Sequence, residues 1–235
     1  QYPYSNINIA GNITNQSFNG ELIIDDPNLS FEFFGGYEMI EGIPEMDFRA
    51  DFKANPYELN FDTIPSKVGF LMIADFTGDG INTASGNLSF ANMFLKRKND
   101  SVNIKEIDIN TGKDRGEQFI SVKSEYFDIN THGNYNLPEF VGALSNLVYN
   151  YLPVLSDEEF KPRETRPGEM EFEADFNNLS EITTFFMPSL KIDKTIELKG
   201  RLDANRDHYI VNVKAPEIVY DTMKINDLQL DLLAG

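Results

Sequence analysis

The chain has 235 residues, with 38 acidic and 20 basic side chains, so its formal net charge is −18 at pH 7. Hydrophobic residues make up 41% of it, which is enough for a sizeable core and excludes wholesale disorder. The absence of Cys excludes a disulfide scaffold, a zinc ribbon and thiol chemistry. The negative charge repels phosphate backbones, so we expect no nucleic-acid partner, and the same field disfavours anionic membrane surfaces.

No stretch reaches the roughly 18 to 20 consecutive apolar residues that span a bilayer, and the start lacks a signal-peptide pattern. The chain begins at Gln1 without an initiator Met and stops at Gly235 directly after a strand-like run. We therefore expect a fragment of a longer chain, with any membrane anchoring outside this fragment.

Most of the chain alternates apolar and polar residues with a period of two, which is typical of strands with one apolar face. The clearest run is Met46, Phe48, Ala50 and Phe52, which alternate with charged side chains. Turn sequences separate the runs at roughly the 8 to 12 residue spacing of antiparallel β proteins, so we predict a mainly β fold. Other runs begin near Ile7, Leu22, Phe31, Ile107, Met170, Ile196, Tyr209 and Leu228.

Two segments have helical spacing instead. The first runs from about 138 to 152, where apolar residues recur on one face and Pro153 stops the helix. A charged, Pro-containing loop follows it as far as Gly168. The second helix is short and runs from about 179 to 187, with Pro188 as its stop.

One strand pattern occurs twice. Six of eight positions are identical between the segment Glu45 to Phe52 and the segment Glu169 to Phe176. A strand unit that cannot bury its own apolar face favours stacking into an extended array. We predict a first β-array repeat over 1–137, the helix and loop over 138–168, and a second repeat over 169–235 that continues the same sheet.

Several of these segments resemble TamB-like proteins. They are the run from Tyr4 to Gly11, the Asp26-Pro27-Asn28 turn, the Ala50-Asp51-Phe52 strand, and the stretch from Ser124 into the helix ending at Pro153. The resemblance is closest to Bacteroidota members of the TamB and AsmA-like superfamily, from the translocation and assembly module, and covers most of the chain.

The resemblance implies a fold, a location and a function. It implies an elongated antiparallel sheet curled into an open half-pipe, called a β-taco, with an apolar interior. The chain would be a periplasmic part of an inner-membrane-anchored cell-envelope protein. That family is linked to phospholipid transport between the inner and outer membranes, and to outer-membrane protein assembly with barrel-assembly proteins as partners.

Catalytic and metal sites are only weakly signalled. The run from Asp75 to Asn82 resembles a calcium loop, but Gly86 stands where the closing Glu belongs, so a hairpin turn is favoured. His132 and His208 are far apart in sequence and belong to no metal-ligand spacing. Nucleophile elbows, phosphate loops and dinucleotide fingerprints are absent from the sequence. We expect a protein that is not an enzyme, with no cofactor and no metal.

The alternating apolar residues are the candidate functional surface. From periodicity alone they fit either the closed core of a β-sandwich or the lining of an open groove for phospholipid acyl chains. The resemblance favours the groove. Two alternatives stay open: an assembly factor that offers a strand edge to a client, and a closed β-sandwich adhesin or glycan-binding module. The predicted lining is Phe31, Phe33, Met46, Phe48, Ala50, Phe52, Ile107, Ile109, Met170, Phe172, Phe176, Ile196, Leu198, Val211 and Val213.

Overall fold

A computed structural model describes residues 2–80, 82–98, 100–139, 142, 168–203, 206 and 208–234. The protein is mainly β, with 70% of it in strands. A short helix, α1, covers Ser180–Phe186. The strands are β1 Ile7–Ile13, β2 Ser17–Asp26, β3 Leu29–Ile40, β4 Ile43–Ala54, β5 Ser66–Thr77, β6 Ser85–Arg97, β7 Asp100–Asp114, β8 Glu117–Ser124, β9 Phe127–Tyr135, β10 Gly168–Phe176, β11 Leu190–Lys191, β12 Ile196–Asp203, β13 His208–Tyr220 and β14 Met223–Ala234.

These strands form a single antiparallel sheet in which each strand from β1 to β9 pairs with the next one along the chain. The order then continues through β12, β13 and β14, while the two residues of β11 pair with β13 beyond the end of β12. The sheet does not close into a barrel, so β1 and β14 are its two edges. The predicted fold, a mainly β sheet curled into an open half-pipe, is confirmed.

The short helix is confirmed, and it differs from the predicted range by one residue at each end. Met187 leaves the helical conformation and Pro188 prevents its continuation. Of the longer predicted helix, residues 137–139 and 142 are helical, and the rest lies outside the described residues. The proposed division into two repeats stays a prediction.

The segment that resembles a calcium loop is the connection between β5 and β6, as the hairpin interpretation predicts. The two strands remain paired as far as Thr77 and Ser85. The hydroxyl of Thr83 donates to Asp79 Oδ1 at 2.6 Å and accepts from the backbone N–H of Gly80 at 3.0 Å. The loop therefore satisfies its own polar groups through turn hydrogen bonds.

The sheet has no second layer among the described residues. The chain exposes 15380 Å², whereas a globular protein of 26.7 kDa exposes about 10,700 Å². Leu202, at 2% exposure, is the most deeply buried large side chain of the described residues. The fold therefore leaves much of its apolar face uncovered.

Candidate functional site: the apolar face of the sheet

One row of residues crosses the sheet from β1 to β14 without a polar side chain. Each member is the register partner of the next, and only β11 is left out. At about 4.8 Å per strand, this row is about 58 Å long. We call it the apolar row: Gly11, Gly20, Gly35, Phe48, Ala74, Leu88, Ile109, Val122, Ile129, Ala174, Leu198, Val213 and Leu230.

The adjacent row, one residue away along each strand, points to the opposite face and contains only polar side chains and one glycine. Within it, the side-chain amide of Asn110 donates to Asn87 at 2.8 Å, and that of Asn212 donates to Asp231 at 2.7 Å. We call it the polar row: Asn12, Asn19, Gly36, Asp47, Asp75, Asn87, Asn110, Ser121, Asn130, Glu173, Lys199, Asn212 and Asp231.

Phenylalanine rings pack across strands on the apolar face in two series. One joins Phe33 to Phe18 and to Phe48, with ring centroids 6.0 and 5.1 Å apart. In the other, Phe52 and Phe70 have centroids 5.1 Å apart. These cross-strand aromatic pairs stabilise the sheet without a covering layer. The second series also includes Phe31 and Phe90, at 6.4 Å from Phe52 and 5.8 Å from Phe70 respectively.

Glycines let the first three strands come close together on this face. Gly35 has φ +124°, and a Cβ there would lie 2.3 Å from the carbonyl oxygen of Asp47. A larger residue would therefore be strained both by its backbone conformation and by this contact. Because β3 and β4 are close at Gly35, the Phe33 and Phe48 rings pack against each other.

Every residue predicted to line a groove lies on the apolar face, because each one belongs to the apolar row or lies two or four residues from it along its strand. Ala50 and Met170 are nevertheless 1% and 4% exposed, so neighbouring side chains cover them. The others are half-buried. The structure brings together on one face residues that are more than 180 positions apart in the sequence, such as Phe31 and Val213.

Sequence reasoning missed the lining that β5 and β6 contribute. The β5 run is apolar on both faces near Leu71, so its alternation is hidden. In β6 the alternation shifts, since the register with β5 slips between Gly69 and Leu71 and Asn92 has φ +54°. Only the strand pairing could have found these residues. They are Phe70, Met72, Ala74, Phe76, Leu88 and Phe90.

An open cavity of about 430 Å³ lies on this face, over β4 to β7 and next to the connection between β5 and β6. Its walls are mainly apolar and include Met46, Phe76, Leu88 and Ile109. This volume lies within the roughly 300 to 1,000 Å³ of pockets that bind small molecules. Gly78 and Gly86 also line it.

Part of the apolar face is closed by its own packing. Tyr135, Met170 and Leu202 form a buried cluster beside β9, β10 and β12, with Leu137 packed against it. Burial raises the pKa of the Tyr135 hydroxyl, which is 2.6 Å from the hydroxyl of Thr131. The cluster packs β9, β10 and β12 together on this face.

The helix α1 is attached to the sheet through Tyr126 and Arg97. Tyr126 is buried and its hydroxyl donates to Glu181 Oε2 at 2.7 Å. Burial, and then the hydrogen bond to Glu181, raise the pKa of Tyr126 to about 12. Phe185 lies against the guanidinium of Arg97, 5.8 Å from ring centroid to Cζ. These contacts hold α1 beside the turn between β6 and β7.

A second polar network closes the turn between β2 and β3. Asp26 is buried and accepts hydrogen bonds from the Tyr2 hydroxyl at 2.5 Å, the Asn28 backbone at 2.9 Å and the Ser5 hydroxyl at 2.7 Å. These bonds, with Tyr2 the largest contributor, lower the pKa of Asp26 to about 2. The network holds the residues before β1 against the sheet.

The outer face carries ion pairs and no metal-binding cluster among the described residues. Lys199 lies 3.3 Å from Glu173, and Arg201 pairs with both Glu169 and Glu171. His132 Nδ1 lies 3.0 Å from Glu117 Oε2 on this face. These are exposed structural pairs that contribute little to stability.

No family model, curated protein or solved structure matches the chain. Among the described residues, no helix is long and apolar enough to span a bilayer.

Proposed function

We propose that this chain is a periplasmic segment of a TamB-like envelope protein, which shields phospholipid acyl chains during their transport between the inner and outer membranes. The observation that carries the proposal is the apolar row, because it gives an uninterrupted nonpolar path across the sheet. The role requires no catalytic residue and no cofactor. It requires a continuous apolar surface and a polar exterior.

The exposed apolar area supports this proposal. Soluble monomers rarely leave apolar patches larger than a few hundred Å² open to water. Here most side chains along the row are half-buried in a single sheet, Leu230 is 45% exposed, and only Ala74 and Ala174 of the row are fully buried. The cavity lined by Met46 and Leu88 is open. Acyl chains suit such a surface, since each CH₂ removed from water contributes about 0.8 kcal/mol.

The first test is the lipid content of the protein. Protein purified without detergent should carry phospholipid that mass spectrometry detects. A photo-crosslinking residue in place of Leu88 should couple to lipid, whereas one in place of Asn110, on the polar row, should not. Equal labelling at both positions, or lipid-free protein, would contradict the proposal.

A matched pair of variants tests whether the path must be continuous. Val122 and Ser121 are neighbours on β8, both half-buried, on the apolar and polar rows respectively. Val122→Glu should reduce the bound phospholipid several-fold, because it places a carboxylate in the path. Ser121→Glu adds the same charge and should leave the lipid content unchanged. Circular dichroism would verify that both variants are folded.

The open edge of the sheet favours a second candidate function, assembly of outer-membrane proteins. All seven residues of β1 are exposed and none is charged, so the strand lacks the charged residues that usually protect an edge. Such an edge can add a strand from a client. Crosslinks from Asn8 to a partially folded barrel protein would support this function, and Ile9→Pro should abolish them.

A further inference from the structure

The turns at one end of the strands form a contiguous surface, which we call the lower rim. It consists of residues 55–65, the turn after Arg97, residues 177–195 and the turn between Tyr220 and Met223. Asp62 lies 3.9 Å from Arg97, whose guanidinium contacts the Phe185 ring. The backbone N–H of Asp221 donates to the carbonyl of Ser189 at 2.7 Å. These contacts join turns that are far apart in the sequence.

Three lysines surround a cavity of about 410 Å³ on the lower rim. Lys67, Lys96 and Lys98 line it together with a single acid, Glu58. None of the three lysines forms an ion pair with another described residue, although Lys96 lies 5.6 Å from the Phe94 ring centroid. Lys67 and Lys96 are direct register partners, an arrangement that destabilises a sheet unless an anion offsets it.

Arg97 adds a further positive charge at this end of the strands. It is the register partner of the buried Ser66, on the face opposite to Lys96. Its Nε is buried and has no hydrogen-bond partner among the described residues. The rest of the side chain is partly exposed, and its guanidinium lies 3.9 Å from Asp62.

Large apolar side chains project from the same rim. Phe61 is 75% exposed, Phe186 60% and Met223 61%, and Tyr57 and Tyr220 are also exposed. Aromatic residues next to lysines are typical of surfaces that lie at the membrane interface, where the rings enter the headgroup region and the lysines contact phosphates.

The opposite rim has a different composition. Its turn between β3 and β4 exposes Ile40 and Ile43, but Glu38, Glu41 and Glu45 surround them. These acids would be repelled by an anionic bilayer. This turn therefore differs in charge from the lysine cavity, although both ends of the strands expose apolar side chains.

We propose that the lower rim docks on the surface of an anionic phospholipid bilayer, with Phe61 and Phe186 in the headgroup region and Lys67, Lys96 and Lys98 against lipid phosphates. The inference rests on the proposed lipid-binding function, since a groove for acyl chains has to meet the membrane from which it takes them. The net charge of −18 does not prevent this contact. Charges beyond about 8 Å are screened at physiological salt, so the local lysines dominate.

Flotation with vesicles tests the proposal. The whole chain should bind vesicles of equal parts phosphatidylglycerol and phosphatidylcholine, and bind phosphatidylcholine vesicles weakly. The double variant Lys67→Glu, Lys98→Glu should bind the anionic vesicles at least about 25-fold more weakly, since each lysine near such a surface contributes roughly fivefold. Phe61→Ser should also weaken binding to the anionic vesicles. Because the lysines remain, its binding should still decrease as the salt concentration rises.

The matched control is Lys113→Glu near the end of β7 combined with Arg115→Glu in the turn before β8, at the opposite end of the strands. It changes the net charge by the same amount and should leave vesicle binding nearly unchanged. Equal losses in both double variants would overturn the proposal, because net charge and not the rim would then control binding. Absence of binding by the unmodified chain would overturn it as well.

Lipid content separates this inference from the proposed function. If Lys67→Glu, Lys98→Glu protein still carries phospholipid but no longer binds vesicles, docking and acyl-chain shielding are distinct and both stand. If the unmodified chain carries phospholipid but binds no vesicles, only the docking inference fails. If it binds vesicles but never carries lipid, the proposed function fails and the docking surface stands.

Discussion

The apolar row and the polar row are one residue apart on every strand that they share, yet they have opposite chemistry across the whole sheet. Leu88 lines an open apolar cavity, while the adjacent Asn87 accepts a hydrogen bond from Asn110 on the other face. Because side chains alternate along a strand, a slip of one residue in any pairing would exchange the two rows. The comparison shows that the register, kept over many strands, is what turns local alternation into a continuous surface.

The apolar face itself contains two environments. Around Leu202 the side chains are buried by each other, whereas near Leu230 the same face is open, with that side chain 45% exposed. The buried part stabilises the sheet and the open part is available to a ligand. The following predictions test this division from the largest expected effect to the smallest.

Leu202→Ala should destabilise the protein most. The side chain is 2% exposed and its loss leaves a cavity beside Tyr135 and Met170, so we expect a cost of about 3 kcal/mol. Leu230→Ala removes the same atoms from the open part of the face and should cost less than about 1 kcal/mol. Urea unfolding measures both. Similar costs would show that the apolar face has a single environment.

Phe33→Ala and Phe34→Ala compare the two faces on one strand. Phe33 packs against two rings, so its loss should cost about 2 kcal/mol. Phe34 points to the outer face and is 42% exposed, and its loss should cost well under 1 kcal/mol. Urea unfolding measures the loss of stability in each variant. A larger loss for Phe34→Ala would be inconsistent with the assigned faces.

The lowered pKa of Asp26 predicts that the stability of the protein depends on pH. Hydrogen bonds from Tyr2, Asn28 and Ser5 lower its pKa to about 2, below the roughly 3.9 of an unfolded Asp. The stability contributed by the ionised carboxylate should therefore be present above pH 4 and disappear as the pH falls towards 2. In Asp26→Asn this component should be missing. If the free energy of unfolding changes by the same amount in both proteins between pH 5 and pH 2, the assignment is refuted.

The smallest effect concerns the polar row. Asp47 and Asp75 are direct register partners, and like charges in that position repel each other. Asp75→Asn should raise the melting temperature slightly at low salt, and the gain should shrink as salt screens the repulsion. A gain that does not depend on salt would mean that the substitution acts through packing.

Much of the fold could be read from the sequence because it depends on local alternation. The run from Met46 to Phe52 predicted a strand with one apolar face, and the short helix before Pro188 was predicted to within one residue at each end. Strands β5 and β6 were harder to interpret. Their apolar runs and the register slip near Asn92 hide the alternation, so their contribution to the lining was not predicted.

Parts of the candidate surface could not be predicted at all. That Ala50 and Met170 are covered while Met46 borders a cavity depends on neighbours from other strands. The approach of Arg97 to Phe185 joins the end of β6 to a helix, although the two residues are 88 positions apart. No sequence pattern contains such a contact, because it results from the strand order.

By itself, the sequence determined the β class, the two-faced strands and the short helix, since each follows from the spacing of apolar residues and from Pro and Gly within a few positions. The tertiary structure decided that these strands form one open sheet and not two closed layers, that their alternation remains in register from β1 to β14, and that lysines and aromatic rings meet on one rim. The physical reason is that pairing and burial depend on residues distant in the chain, whereas propensity and periodicity are local.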